Sequence, residues 1–176
     1  GRVGYYAIQW AVMAGAEVIS TASNSSDRDL CLALGAKAVV NHREEDWGQQ
    51  VLVATSGKKV DRVIDVEFGA NLPQILGCIA PNGVIATYSS TQVKTPSLPF
   101  LDMMYMDLTL RMVIVYAMPE SAKQAAIAAI SIALEQEQLE HRVAHVVPLE
   151  KISKAHELIE TGGFGGWVVV SMEASE

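Results

Sequence analysis

Short apolar runs alternating with helix-length amphipathic stretches constrain this chain more than any other feature. Residues 17–21 read as a strand, 27–34 as a helix stopped by Gly35, 38–40 as the next strand, and 44–55 as a helix ending near Gly57. Residues 60–66 supply a further strand, 71–79 a helix with Pro73 in its first turn, where the absent amide costs least, and 84–88 another strand. A strand order interrupted by helices requires parallel pairing, because parallel neighbours need long crossovers, and the helices must then cover both faces of the sheet. The expected class is α/β. Residues 89–99 are irregular and are expected to cross the mouth of a pocket, before a short helix over 100–107 and a strand over 110–116. The longest helix is expected over 120–138, where repeated alanines favour helix and close packing. An extended segment at 145–147, a helix over 149–159 and a strand over 167–170 complete the pattern.

A chain of 176 residues with 50% hydrophobic and 19% charged side chains has enough apolar surface to build one sizeable core, which excludes intrinsic disorder. The net charge of -7 argues against a nucleic-acid partner, since backbone phosphates need clustered cations. Polar residues interrupt every apolar run before membrane-spanning length, and no cationic leader opens the sequence, so a soluble cytoplasmic protein without a membrane partner is expected. Cys31 and Cys78 lie far apart with no histidine at ligand spacing, which gives neither a zinc signature nor a disulfide framework; two buried thiols and no metal are expected.

The chain opens Gly1-Arg2-Val3-Gly4-Tyr5-Tyr6-Ala7. Small residues at the start of a helix let backbone amides approach a diphosphate, whose charge the helix N-terminus favours. Gly1 is the expected point of closest approach, Gly4 is expected to pack the helix closely on the sheet, and Val3 to pack beneath. Taken alone, a Gly-x-x-Gly also fits an ordinary turn. At the head of repeated α/β units it points to a Rossmann-like parallel sheet, which needs an apolar strand immediately before the turn. That strand belongs between those at 18–21 and 60–66, so the sheet is expected to lack its first central strand and to expose two backbone ladders. An incomplete or excised sequence is the expected explanation, with a split protein or a strand-donating partner as the alternative.

After the first strand come Thr21, Ala22, Ser23, Asn24, Ser25 and Ser26, with Arg28 close behind. An acidic residue directly after this strand would bind free ribose hydroxyls, whereas hydroxyls and a guanidinium suit a 2′-phosphate, which favours NADPH over NADH. Arg28 also fits a solvated helix charge, and Asp27 opposes the phosphate. Among groups for chemistry, Glu67 reads as a solvated strand-end carboxylate or a relay, and Asp61 and Asp65 fall on one strand face, where Asp65 would orient the adjoining turn. Tyr88 and Ser89 stand at a strand end, where each could meet a ligand or cap a loop. Met103, Met104 and Met106 suit a core or subunit contact better than an acceptor pocket. No residue qualifies as a general acid.

Several ordered landmarks resemble the cofactor-binding portion of the medium-chain dehydrogenase/reductase superfamily, most closely its zinc-independent quinone oxidoreductase branch. They are the opening turn through Gln9, residues 34–46 from Leu34-Gly35-Ala36, residues 60–65, Ala80-Pro81-Asn82-Gly83-Val84-Ile85, and residues 148–156 from Pro148-Leu149-Glu150. The resemblance implies hydride transfer from NADPH to a quinone or conjugated carbonyl, completed by an N-terminal catalytic domain this sequence does not contain. It implies that Gly1, Val3 and Gly4 cradle the diphosphate, Thr21, Ser23 and Arg28 surround the ribose, and His42, a tyrosine in many members, lies near its phosphate. Phe68, Gly69, Tyr88 and Ser89 would stand near the cofactor cleft, while Gly166-Trp167 replaces a Gly-Lys pair and removes a cation. Residues 1–140 would form the nucleotide-binding domain and 141–176 a helix and strand packing toward the catalytic domain, with the strand over 110–116 joining two copies as a homodimer. An NAD(P)-sensing domain without catalysis is the alternative of a different class. A zinc alcohol dehydrogenase with its metal elsewhere is a narrower one, and a methyltransferase-like α/β unit is less attractive.

Overall fold

The structure, a computed structural model, describes residues 1–172. The last four residues of the segment expected over 141–176 lie outside the described residues. Seven strands run in parallel pairs within three small sheets. The first pairs β1 (Ile19–Thr21) with β2 (Ala38–Val40), the second orders β3 (Val60–Asp65), β4 (Ile79–Thr87) and β5 (Thr109–Met112), and the third pairs β6 (Val143–Pro148) with β7 (Trp167–Ser171). Helices α1 (Arg2–Met13), α2 (Ser25–Ala33), α3 (Trp47–Ala54), α4 (Phe68–Cys78), α5 (Phe100–Tyr105), α6 (Glu120–Glu135) and α7 (Ile152–Thr161) alternate with them. The parallel α/β order expected from the apolar pattern is therefore present. Among the described residues β1 pairs only with β2, and β3 only with β4, so each keeps one free backbone edge, as the expectation of an absent central strand requires. No helix among the described residues is long and apolar enough to cross a membrane.

The core joins the first two sheets. Leu72, Ile75 and Cys78 repeat every three residues and so share the inner face of α4, where they meet Trp47 and Val51 of α3, Val40 of β2 and Ile85 of β4. α3 approaches α4 so closely that the Gly48 amide donates to the Gln74 side chain at 3.0 Å. The alanines of α6 give it helical propensity without a burying face: only Ala133 is buried, and Ile127 and Ile132 remain exposed.

Several elements depart from the sequence reading for local reasons. α4 begins at Phe68 rather than 71, because the loop after β4 meets its first turn: Phe68 N donates to Ser89 O at 3.0 Å and Gly69 N to Ser90 Oγ at 2.9 Å. Pro73 consequently sits in the helix interior and not in the first turn. α2 begins at Ser25 because the Asn24 side chain accepts from Asp27 N at 2.8 Å, an N-cap in extended backbone. β5 stops at Met112, and residues 115–117 form a 3-10 turn in place of further strand. Residues 89–99 line neither of the two cavities described below; they fold onto α4 instead. Cys78 is buried, as expected, but Cys31 is only half-buried; both thiols are free.

Candidate functional site

The first turn of α1 is unusually open. Gly1 is its N-cap without a side-chain cap, and no acidic residue lies in the turn, so the amides preceding the first internal bond, Tyr5 N to Gly1 O, face outward with the positive end of the helix dipole. Gly4 does not pack on the sheet as expected: a Cβ there would find nothing within 4 Å. Val3 is 52% exposed rather than packed beneath the turn. Among the described residues no strand pairs between β1 and β3, where the expected central strand would pack against this helix.

A cavity of about 260 Å³ lies between α1, α2 and the end of β1, and it gathers five of the residues expected to bind cofactor: Gly1, Gly4, Thr21, Ser23 and His42. Burial and the neighbouring Arg43 push the His42 imidazole below its ordinary range, which leaves it neutral near pH 7. Val3, Arg28, Phe68, Gly69, Tyr88 and Ser89 do not line this cavity. Arg28 is exposed on α2.

A second cavity of about 500 Å³ shares Gly1, Tyr5, Asp27 and Arg142 with the first. Arg142 Nη1 lies 2.8 Å from Asp27 Oδ1, so this ion pair forms a common wall. Arg142 and Arg2 are the groups that sequence reasoning missed. The segment after α6 is tied to α1 through reciprocal bonds between the Gln9 amide and the Glu140 backbone at 2.7 and 3.2 Å. Tyr6 Oη lies 2.9 Å from His141 Nδ1, and Arg2 Nε donates to Gly166 O at 2.7 Å with its guanidinium over the Trp167 ring. No local signal marks Arg142, because its partner is 115 residues away.

Phe68, Gly69, Tyr88 and Ser89 form a separate cluster at the ends of β3 and β4. The Phe68 ring is 2% exposed and belongs to the core. A Cβ on Gly69 would approach Val93 O to 2.6 Å, so only glycine lets the loop sit this close. Glu67 accepts from the Thr91 hydroxyl and from the backbone amides of Thr91 and Gln92 at 3.0 and 2.9 Å, and these donors hold its carboxyl below the ordinary range. Tyr88 stands beside Asp65, and burial together with that carboxylate raises its phenol, which therefore stays protonated as a donor.

Asp61 and Asp65 do not behave as a pair. Asp61, near the start of β3 beside a pairing irregularity between Val60 and Arg62, is exposed, whereas Asp65 at its end is buried. Asp65 accepts from Asn71 Nδ2 at 2.7 Å, Glu67 N at 3.1 Å and Thr87 Oγ1 at 3.2 Å, which locks the end of β3 to α4 and β4. Burial nevertheless outweighs these donors and raises its pKa above the ordinary 3.8. A raised carboxyl contributes stability that is complete below pH 3.8 and is lost as pH rises through the higher folded value. The native protein is therefore expected to lose stability relative to Asp65→Asn across that window, read by urea unfolding from pH 3.5 to 7, about where a raised carboxyl titrates. A difference that stays flat with pH would show an unshifted Asp65.

Parallel strands ending beside an uncapped glycine-led helix define a Rossmann-type α/β unit. A family profile described as zinc-binding dehydrogenase matches residues 3–131, and the chain belongs to that family as a cofactor-binding portion of the medium-chain dehydrogenase/reductase superfamily, in its quinone oxidoreductase-like branch. The quinone oxidoreductase of Sus scrofa is 28% identical over 172 residues, 97% of this chain and 51% of the relative. Quinone oxidoreductase 1 of Escherichia coli is 33% identical over 91 residues, 52% of this chain and 28% of the relative. A solved 2-haloacrylate reductase superposes with a TM-score of 0.86 at 25% identity, covering 99% of this chain and 55% of that one. The chain thus spans about half or less of the length of these relatives. The family description names zinc, but among the described residues no three His, Cys, Asp or Glu side chains converge, so the residues here do not fit a metal site.

Proposed function

We propose that the intact protein carrying this chain transfers hydride from NADPH to a quinone or another conjugated carbonyl, and that this chain supplies the cofactor site. The observation that carries the reading is the uncapped first turn of α1 opening on a cavity flanked by the Thr21 and Ser23 positions. A diphosphate meets free amides and the positive end of a helix there, with room at Gly4 for its oxygens. Thr21 and Ser23 supply hydroxyls toward the ribose, and neutral His42 offers a hydrogen bond from the same wall. Tyr88 and Ser89 wall the nicotinamide end, while Phe68 and Gly69 position their loop. The bound nicotinamide supplies the hydride; the protein holds it in place and excludes water. The acceptor class rests on relatives named for quinone and haloacrylate, both electron-poor conjugated systems.

Residues 1–140 are the nucleotide-binding unit in this proposal. The segment from 141 onward closes the cofactor wall through Arg142 and turns Val146 and Val169 outward toward a substrate domain. The exposed Met112, Ile114 and Tyr116 beside β5 would meet a second copy, and sedimentation of the intact protein as a monomer would remove that part.

The test is titration of the intact protein with NADPH and NADH, followed by a consumption assay across quinones and enones. NADPH binding with acceptor-dependent oxidation is expected. Binding of neither nucleotide would defeat the proposal, and binding without consumption would make the domain a nucleotide sensor.

A further inference from the structure

We infer that Arg142 is the specificity-determining residue for a 2′-phosphorylated dinucleotide, acting both by neutralising Asp27 and by presenting its remaining guanidinium donors to the phosphate. The inference rests on the cofactor reading above and deepens it. A carboxylate at position 27 stands on the wall of the cavity that contains Thr21 and Ser23, where a bare negative charge would repel a phosphate. The structure offsets that charge with one cation and shares it with one amide donor. Arg142 Nη1 bonds Oδ1 at 2.8 Å, and Asn24 Nδ2 donates to Oδ2 at 3.0 Å. The pair is about two-thirds sheltered, with side-chain exposures of 30% and 35%, and the guanidinium holds the Asp27 carboxyl below its ordinary range.

Arg142 is placed there by the backbone that surrounds it. Trp167 N donates to Arg142 O at 2.8 Å, fixing the start of the β6–β7 pair. Gly166 has φ +115° and lies against Arg142 O, and the guanidinium lies where a Cβ on Gly165 would stand. Any larger residue at 165 or 166 would push the arginine off α2. A guanidinium carries five N–H donors in a planar fork, and among the described residues only Asp27 accepts from it, so the rest remain available to a phosphate on the cavity side. Arg28, next to Asp27 in sequence, is exposed and lines neither cavity. A dinucleotide with a free 2′-hydroxyl offers no charge for Arg142 to bind and meets an Asp27 carboxylate whose two oxygens each already accept a hydrogen bond.

The experiment measures dissociation constants for NADPH and NADH by fluorescence titration of the intact protein, with thermal melting as the fold control. Arg142→Ala is expected to weaken NADPH on the order of 30-fold, the scale of a lost charged hydrogen bond, and NADH by less than about threefold. Adding Asp27→Asn to Arg142→Ala leaves no unpaired carboxylate, so this double variant keeps the question answerable if the single one unfolds. It is expected to bind NADPH more tightly than Arg142→Ala while remaining weaker than the native protein. Equal weakening of both nucleotides, a native preference for NADH, or a selective loss confined to Arg28→Ala would each overturn the role of Arg142. A native protein that binds neither nucleotide would overturn the cofactor reading itself, a result distinct from an unchanged NADPH-to-NADH ratio in Arg142→Ala.

Discussion

Gly4→Asp is expected to fold as the native chain does and to lose dinucleotide binding by about 100-fold or more. A Cβ at Gly4 meets nothing within 4 Å, so the substitution creates no clash. A carboxylate in the first turn of α1 also favours the helix by about 0.3–1 kcal/mol, so stability is held or slightly raised. The same charge would face the proposed diphosphate across roughly 5 Å of partly sheltered space, where each pair of like charges costs about 3 kcal/mol. Melting temperature and NADPH titration on one preparation separate the two effects. An unaltered melt with NADPH affinity within about threefold of native would place the diphosphate elsewhere.

Ile85→Ala is expected to destabilise the fold by about 2–5 kcal/mol, the range for emptying a fully buried aliphatic site. Ile85 is 0% exposed and lies in β4, the central strand of its sheet, opposite Val63 of β3 and Leu110 of β5, with Phe68, Leu72 and Ile75 in the same cluster. The urea midpoint should fall while the slope stays constant. Ile64→Ala, one strand residue away in β3 and 61% exposed, should change stability by no more than about 0.5 kcal/mol. A loss below about 1 kcal/mol at Ile85 would put the centre of the core elsewhere.

The order of elements was legible because each is written in a short window. The strand at Ala38–Val40 is a short apolar run between a glycine stop and a polar turn, and α2 is ended by Gly35, although its start at the Asn24 cap went unread. Reading failed where an element boundary depends on a distant segment. α4 starts early because Ser89 and Ser90 satisfy its first amides, and neither is visible from the residues around Phe68. Burial failed in the same way: Asp61 and Asp65 have the spacing of one strand face, yet only Asp65 is covered, by α4 and β4. Gly1, Gly4, Thr21, Ser23 and His42 share the lining of one cavity because each stands near a strand end or a helix start, and parallel α/β order brings such positions together.

The opening turn, the hydroxyl run after β1 and the parallel alternation thus follow from the sequence by itself, because propensity and periodicity act over a few residues and need no knowledge of packing. The charge presented to a ligand was decided only by the tertiary structure. Asp27 reads as an obstacle and Arg28 as the cation until Arg142 arrives from just before β6, a contact that a separation of 115 residues conceals. Electrostatic pairing depends on distance in space, and that distance is set by how the C-terminal segment packs on α1 through Gln9, Tyr6 and Arg2. Local sequence carries no record of it.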